Sequence, residues 1–446
     1  MKFRGLICKD IIFPLGDILT RQRIMSLFDF YSRAQWWDRE RLCQIQNKYL
    51  RKVVATAYKE VPFYEEYYNA NNVNVDDVRE VKDLVRLPIV TKDVLRKYYP
   101  ERCTRPTRWP ISECYTSGSS GKPFGVKIDN LTHSHARALM FLRAEFSGWN
   151  IGDSFLQFGM TGERGVVKRI KDILLGTEYM LAYDLSDESL DKCLEVLETK
   201  RLKFLMGYPG SIFCLAKRAQ EVGFSTKMRG IVTWGDNLYN FYRTTIEKQF
   251  GCKITDTYGC GEGIQIAAQC EKGIYHTFMP HLAVEVVDAD GFPVKAGEIG
   301  NILLTRLNAG VMPLIRYKIG DIGRKAYATK CECGRGLESL LSIDGRDSDI
   351  IITPSGNRLI VHFFTGIFEY YTSVDTFQIV QESPCEITVK IVPRPNFELN
   401  HWEKIKRQIL ERGDRDLKIK MELVEDISLP DSNKRRFVVS RVKKQV

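Results

Sequence analysis

A chain of 446 residues is too long for one ordinary core, and at 44% hydrophobic and 27% charged it predicts two or three globular domains. Its formal charge of +10 is spread along the chain and interleaved with acidic residues except at the C-terminus, which argues against nucleic-acid binding. The apolar N-terminal stretch LICKDIIFPLGDIL is broken by Lys9, Asp10, Pro14 and Asp17, so it is neither a secretory h-region nor a spanning helix, and a cytoplasmic chain with mostly reduced cysteines is expected. Extended to Arg23, this stretch reads first as a packing segment and second as a contact for an anionic membrane surface.

Residues 26–70 carry aromatic and charged side chains at helical spacing until Pro62 interrupts the pattern. After a hydroxyl- and glycine-rich loop, YTSGSSGKPFGV, helical segments such as SLDKCLEVLETKR alternate with short apolar runs such as FLMG and GIVTWG, the βα alternation of an α/β domain. From His281 to Leu307 the pattern changes to strands of period two, with Asp290-Gly291 as a hairpin-like turn. Strands TFQIVQ and EITVKIV, an amphipathic helix NHWEKIKRQILERG and a basic tail then predict a small α+β domain. The fold class expected is α/β: a large multi-layer domain of parallel and mixed sheets with helices and a β-rich part over 1–345, then a small mobile α+β domain over 346–446.

Glycines let a backbone approach a ligand closely, and free amides and hydroxyls donate to phosphate oxygens, so the loop suits a phosphate. It is not a Walker loop, because Gly118 and Gly121 are only three apart and Pro123 follows Lys122. Taken alone it is equally a surface turn. Separately, Cys270, His276, Cys331 and Cys333 form a Cys-x5-His and a Cys-x-Cys pair, a tetrahedral zinc set of non-standard spacing that leaves ordinary buried cysteines equally open.

Four later segments follow the loop: TDTYGCGEG, RYKIGDIG, IDGRDSDI and LPDSNKRRFV. In this order the set resembles the adenylate-forming superfamily of acyl-CoA synthetases and peptide-synthetase adenylation domains. VPFYEEYY, LPIVTKDVLRKYYPE, MPLIRYKIGD and CECGR are most similar to its phenylacetate-CoA ligase and capsule-biosynthesis (CapK-like) branch. The resemblance covers nearly the whole chain from about residue 30.

That resemblance implies an AMP-forming ligase. A carboxylate attacks the α-phosphorus of ATP, pyrophosphate leaves, and the acyl-adenylate passes its acyl group on, most directly to coenzyme A. The alternatives it leaves are transfer to an amine or hydroxyl in polysaccharide or natural-product biosynthesis, beside a membrane-associated pathway, and a non-catalytic scaffold of the same fold. Thr116, Ser117, Gly118, Ser119, Ser120, Gly121 and Lys122 match its loop around the β- and γ-phosphates. Glu262 matches the magnesium carboxylate, Tyr258 and Gly259 the segment on adenine, Asp321 the ribose ligand and Arg346 a nucleotide contact. Trp234, Gly235 and Asp236 match the adenine segment loosely, and a buried tryptophan before a turn reads equally well there. Lys434 matches the mobile catalytic lysine, with a solvated basic tail as its bland reading.

The sequence departs from the family pattern at Gly261, Ser348 and Asn433, which touches one nucleotide contact, the hinge near Asp347–Asp349 and the turn before the lysine. Some members of the branch carry zinc at positions matching the Cys/His set. Expected partners are a small carboxylic acid and an acyl acceptor, with no nucleic acid; a homodimer is the ordinary expectation for such an enzyme.

Overall fold

The computed structural model describes residues 2–107, 110–116, 124–160, 164–182, 184–327, 330–346, 351–359, 361–368, 370–371, 373–427 and 436–442. Ser117, Gly118, Ser119, Ser120, Gly121, Lys122, the Asp347–Asp349 hinge and Lys434 lie outside the described residues.

Two compact units emerge. Met1–Leu238, Tyr242–Ile319 and Gly323–Ile343 form the first; Tyr239–Phe241, Gly320–Ile322 and Asp344–Val446 form the second.

The first unit opens with helices, the longest spanning Arg39–Glu60. The Asp38 carboxylate caps it by accepting from the Arg41 backbone N–H at 2.8 Å. Leu42, Leu50, Val53 and Ala57 bury one stripe of this helix, and buried Gln46 donates to the Leu282 carbonyl at 2.9 Å. Pro62 does more than interrupt the pattern. It is the first residue of the next helix, Pro62–Ala70, because its fixed φ and missing N–H suit that position.

Strands β1 (Ile111–Thr116) and β2 (Phe124–Asp129) pair antiparallel, with Thr116 opposite Phe124. The main sheet follows as β3 (Phe155–Gly159), β4 (Thr177–Leu181), β5 (Phe204–Gly207), β6 (Gly230–Thr233), β7 (Ile254–Cys260), β8 (Ile264–Gln269), β9 (Tyr275–Thr277), β10 (Leu282–Val287), β11 (Ile299–Arg306), β12 (Tyr317–Lys325) and β13 (Ser339–Arg346). Their order is β10-β11-β12-β13-β9-β8-β7-β6-β5-β3-β4. β4, β3, β5, β6 and β7 run parallel, joined by helices such as Asp187–Thr199 and Pro209–Glu221.

With helices available to cover both faces, parallel strands become continuous apolar runs, and β5 and β6 are buried at every residue. Hydrogen bonding turns antiparallel at β8, whose partners are β7 and β9. The β10–β11 turn has Gly291 at φ +87°, as Asp-Gly predicts.

The second unit holds β14 (Ile351–Ile352), β15 (Arg358–Leu359), β16 (Val374–Ser383), β17 (Glu386–Pro393), β18 (Lys418–Leu423) and β19 (Val438–Ser440). A four-stranded sheet of order β18-β17-β16-β19 includes two parallel pairs. The helix Leu399–Arg412 buries Trp402, Ile405 and Ile409, and Phe368 stacks on Phe377 with centroids 3.8 Å apart.

Candidate active site

The parallel strands end at one edge, the place where α/β sheets bind ligands. Gly207 and Thr233, the last residues of β5 and β6, stand in register with each other and with Asp256 within β7. Beyond them lie Tyr208, the turn Trp234-Gly235-Asp236, and Tyr258. Gly235 adopts φ +82°, and a Cβ there would meet the Tyr208 ring at 2.6 Å, so only glycine lets the turn pass this ring.

Trp234 is half-buried rather than fully buried. The Arg143 guanidinium lies over its ring, 4.8 Å from the centroid, and donates to Gln265 Oε1 at 2.7 Å. Burial lowers Arg143 to about 10, still charged at neutral pH. The Asp256 carboxyl is locked by donation from Thr233 Oγ1 at 2.5 Å and from the Tyr275 hydroxyl; burial raises its pKa.

Glu262 sits in the Gly261-Glu262-Gly263 turn between β7 and β8, only 2% exposed. Gly263 adopts φ +76°, and any Cβ would press on Ile128 Cδ1 at 2.8 Å. Among the described residues the buried carboxylate has two partners. Tyr317 donates its hydroxyl to Oε1 at 2.7 Å, and Lys92 Nζ lies 3.4 Å from the same oxygen. Burial, and then the Glu262 charge, push the Tyr317 hydroxyl far above its usual range, so it remains a donor.

Backbone pairing delivers both groups. The Val90 N–H donates to the Arg316 carbonyl at 3.0 Å and the Lys318 N–H to the Val90 carbonyl at 2.8 Å. This sets Lys92, first residue of the helix Lys92–Arg96, beside Tyr317 at the start of β12. The sequence singles out neither partner, although both lie within segments that carry the family resemblance, LPIVTKDVLRKYYPE and MPLIRYKIGD. Pairing between residues more than two hundred apart leaves no local signal.

Asp321 lies on β12 just after Gly320, which adopts φ +91°; Arg346 is the last residue of β13 and Thr116 the last of β1.

The cysteines and histidine converge. Cys270 follows β8, His276 lies in β9, and Cys331 and Cys333 lie between β12 and β13. Their four ligand atoms fall within 4.8 Å of one another. Cys270 Sγ is 3.9 Å from Cys331 Sγ, and Cys333 Sγ is 3.2 Å from His276 Nε2. A tetrahedron with zinc–sulfur bonds of ~2.3 Å has sulfur–sulfur edges of ~3.8 Å, so the donors fit that ion. Burial lowers His276 to about 4, leaving the neutral imidazole that a metal requires.

Residues 35–313 match the AMP-binding enzyme family and residues 351–441 match the CapK C-terminal domain. Phenylacetate-coenzyme A ligase of Thermus thermophilus is 28% identical over 342 residues, 72% of this chain and 73% of that protein. Protein CapK of Staphylococcus aureus is 24% identical over 416 residues, 90% of each chain. A crystal structure of 2-hydroxyisobutyryl-CoA ligase in the postadenylation state superposes with a TM-score of 0.73, covering 92% of both chains at 18% identity, a likeness of fold.

The family match and the ligase relatives together define an adenylate-forming ligase. The chain belongs to the AMP-binding enzyme family, in the branch shared by phenylacetate-CoA ligases and CapK.

Proposed function

We propose that this AMP-forming ligase activates its carboxylic acid at the C-terminal edge of the parallel strands, with Glu262 as the central carboxylate. The single observation that carries this reading is the buried Glu262 held by Lys92 and Tyr317. A carboxylate oxygen of the acid attacks the α-phosphorus of ATP, the bond to the bridging oxygen breaks, and pyrophosphate departs. The barrier is crowding of negative charge, so catalysis rests on cations and donors placed before the reaction.

Glu262 would hold Mg²⁺, a hard ion that would offset the negative charge of the phosphates. Lys92 adds a fixed cation beside it, and the Tyr317 donor holds the carboxylate in one orientation. Thr116 through Lys122 would wrap the leaving phosphates, and Tyr258, Gly259 and the Trp234-Gly235-Asp236 turn would border adenine. Asp321 would hold the ribose, Arg346 would reach the nucleotide, and Lys434 would bridge the acid and the α-phosphate. In this reading 1–345 binds ATP and acid, and 346–446 is the small mobile domain that brings Lys434.

Tyr317→Phe is expected to lower acid-dependent pyrophosphate release about tenfold, or ~1.4 kcal/mol in the barrier. Steady-state assays against Mg²⁺ concentration check this; unchanged turnover and Mg²⁺ dependence would remove the positioning role.

Coenzyme A is the acyl acceptor we favour, on the likeness to phenylacetate-coenzyme A ligases. The match to the CapK C-terminal domain and to CapK along 90% of the chain supports a second reading, transfer to an amine or hydroxyl in polysaccharide assembly. Supplying the activated acid with coenzyme A and, separately, with amino sugars separates them: loss of free thiol marks the first, an amide or ester the second.

The Cys270, His276, Cys331 and Cys333 set would hold a structural Zn²⁺ that staples the β8–β9 hairpin to the loop after β12. Metal analysis is expected to find one zinc per chain, and Cys270→Ser to lower both zinc content and the thermal midpoint. Zinc-free protein purified without chelator, with an unchanged midpoint in the variant, would refute the site.

A further inference from the structure

Two helical segments of the first unit turn apolar side chains to solvent at the same spacing. In the N-terminal pair Cys8–Ile12 and Phe13–Thr20, the exposed residues are Ile11, Leu15, Ile18 and Leu19. In the helix Val166–Leu175 they are Val166, Ile170, Ile173 and Leu174. Both sets follow i, i+4, i+7, i+8, one stripe of a helix, and their members are between 41% and 83% exposed. Such a stripe ordinarily faces a core.

The two helical segments adjoin. Arg4 donates to the Ile173 carbonyl at 2.8 Å and the Leu174 carbonyl at 3.0 Å, and Cys8 Sγ lies 3.5 Å from the latter. On the other side Phe13 packs edge-on against Phe141, with ring centroids 5.0 Å apart. The start of the chain is therefore anchored to the first unit while its apolar stripe faces out.

Charge selects the occupant. On the helix Val166–Leu175, Arg169 and Lys171 border the stripe on its two sides and Lys168 lies opposite; all three are exposed. Asp172, the acid of this helix, is bound to Arg164 at 2.7 Å and 2.5 Å, and Lys168, Arg169 and Lys171 have no salt bridge among the described residues. A two-fold contact between copies through this helix would set like charges against each other. An anionic lipid surface matches both features, since the stripe enters the acyl boundary while lysine and arginine reach the headgroups. No helix among the described residues is long and apolar enough to cross a membrane, so the contact would be peripheral.

We propose that the faces of Phe13–Thr20 and Val166–Leu175 together form a docking surface for an anionic membrane, independent of how the active site is read. The test is flotation of the full chain with vesicles of phosphatidylcholine alone and of phosphatidylcholine with phosphatidylglycerol. Binding is expected to the mixed vesicles, to weaken with salt, and to fall about tenfold or more in Leu15→Glu/Ile18→Glu/Ile170→Glu/Ile173→Glu. Lys168→Glu/Arg169→Glu/Lys171→Glu, which spares the apolar stripe, is expected to lose the preference for anionic lipid. Pyrophosphate release in lipid-free solution, measured on the same variants, is expected to be unchanged and shows that they fold. Absence of flotation, or equal flotation of wild type and the apolar variant, overturns the proposal. A dimer that the apolar variant dissociates, without vesicle binding, overturns it in favour of a second copy.

Discussion

Glu262→Gln is expected to lower acid-dependent pyrophosphate release about 10²–10³-fold while the chain remains folded. The amide oxygen still accepts from the Tyr317 hydroxyl, so the turn between β7 and β8 keeps its anchor. What disappears is the negative charge opposite Lys92 and the hard oxygen donor for a metal. Lys92 has a side chain 23% exposed, so it can turn toward water, and the expected stability cost is ~1–2 kcal/mol. Thermal unfolding and steady-state kinetics across Mg²⁺ concentrations separate the two effects. Activity within a factor of ~3 of wild type would place the metal and the chemistry elsewhere.

The largest effect on stability is expected at Arg316, where a buried cation fastens three segments. Its guanidinium pairs with Glu285 at 3.2 Å, donates to the Val85 carbonyl at 3.1 Å and the Leu87 carbonyl at 2.5 Å, and reaches the Gly291 carbonyl. Arg316→Met removes the partner of a carboxylate that is itself buried, a change that costs ~3–5 kcal/mol.

Burial raises Glu285 to about 7 even with Arg316 beside it. Because the folded chain holds that proton more tightly than the unfolded one, Glu285 favours the folded state at low pH, and this contribution is lost as pH rises from its unfolded value toward 7. Without Arg316 the carboxyl must take up a proton or remain an unpaired buried charge. The loss in Arg316→Met is therefore expected to be larger at pH 8 than at pH 5. Denaturant unfolding at the two pH values checks this, and equal losses would mean that the backbone bonds, rather than the ion pair, carry the effect.

These residues also show where sequence reasoning succeeds and where it stops. FLMG and GIVTWG read as strands of a βα alternation because each is short, mostly apolar and flanked by helical patterns. The order that seats β3 between β4 and β5 is not readable, since a crossover helix records no direction along the sheet. Glu262 is legible through the resemblance of TDTYGCGEG to the family's motif, and the strain that Gly263 relieves beside it is local. Lys92, Tyr317 and Arg316 owe their importance to partners far away along the chain. Cys-x5-His and Cys-x-Cys already suggest one set of four in the sequence, and the β8–β9 hairpin and the loop before β13 bring their ligand atoms within 4.8 Å of one another. Val166–Leu175 carries an apolar stripe of the kind that ordinarily faces a core, and the structure turns it outward.

Adenylation itself is tested most directly by pyrophosphate release from Mg-ATP with hydroxylamine as the trap, across pools of arylacetic, fatty, amino and uronic acids. Release is expected to depend on one pool and to yield the corresponding hydroxamate, with no release when acid is omitted. ATP binding without release in any pool would contradict it and point to a scaffold that keeps the fold without the reaction.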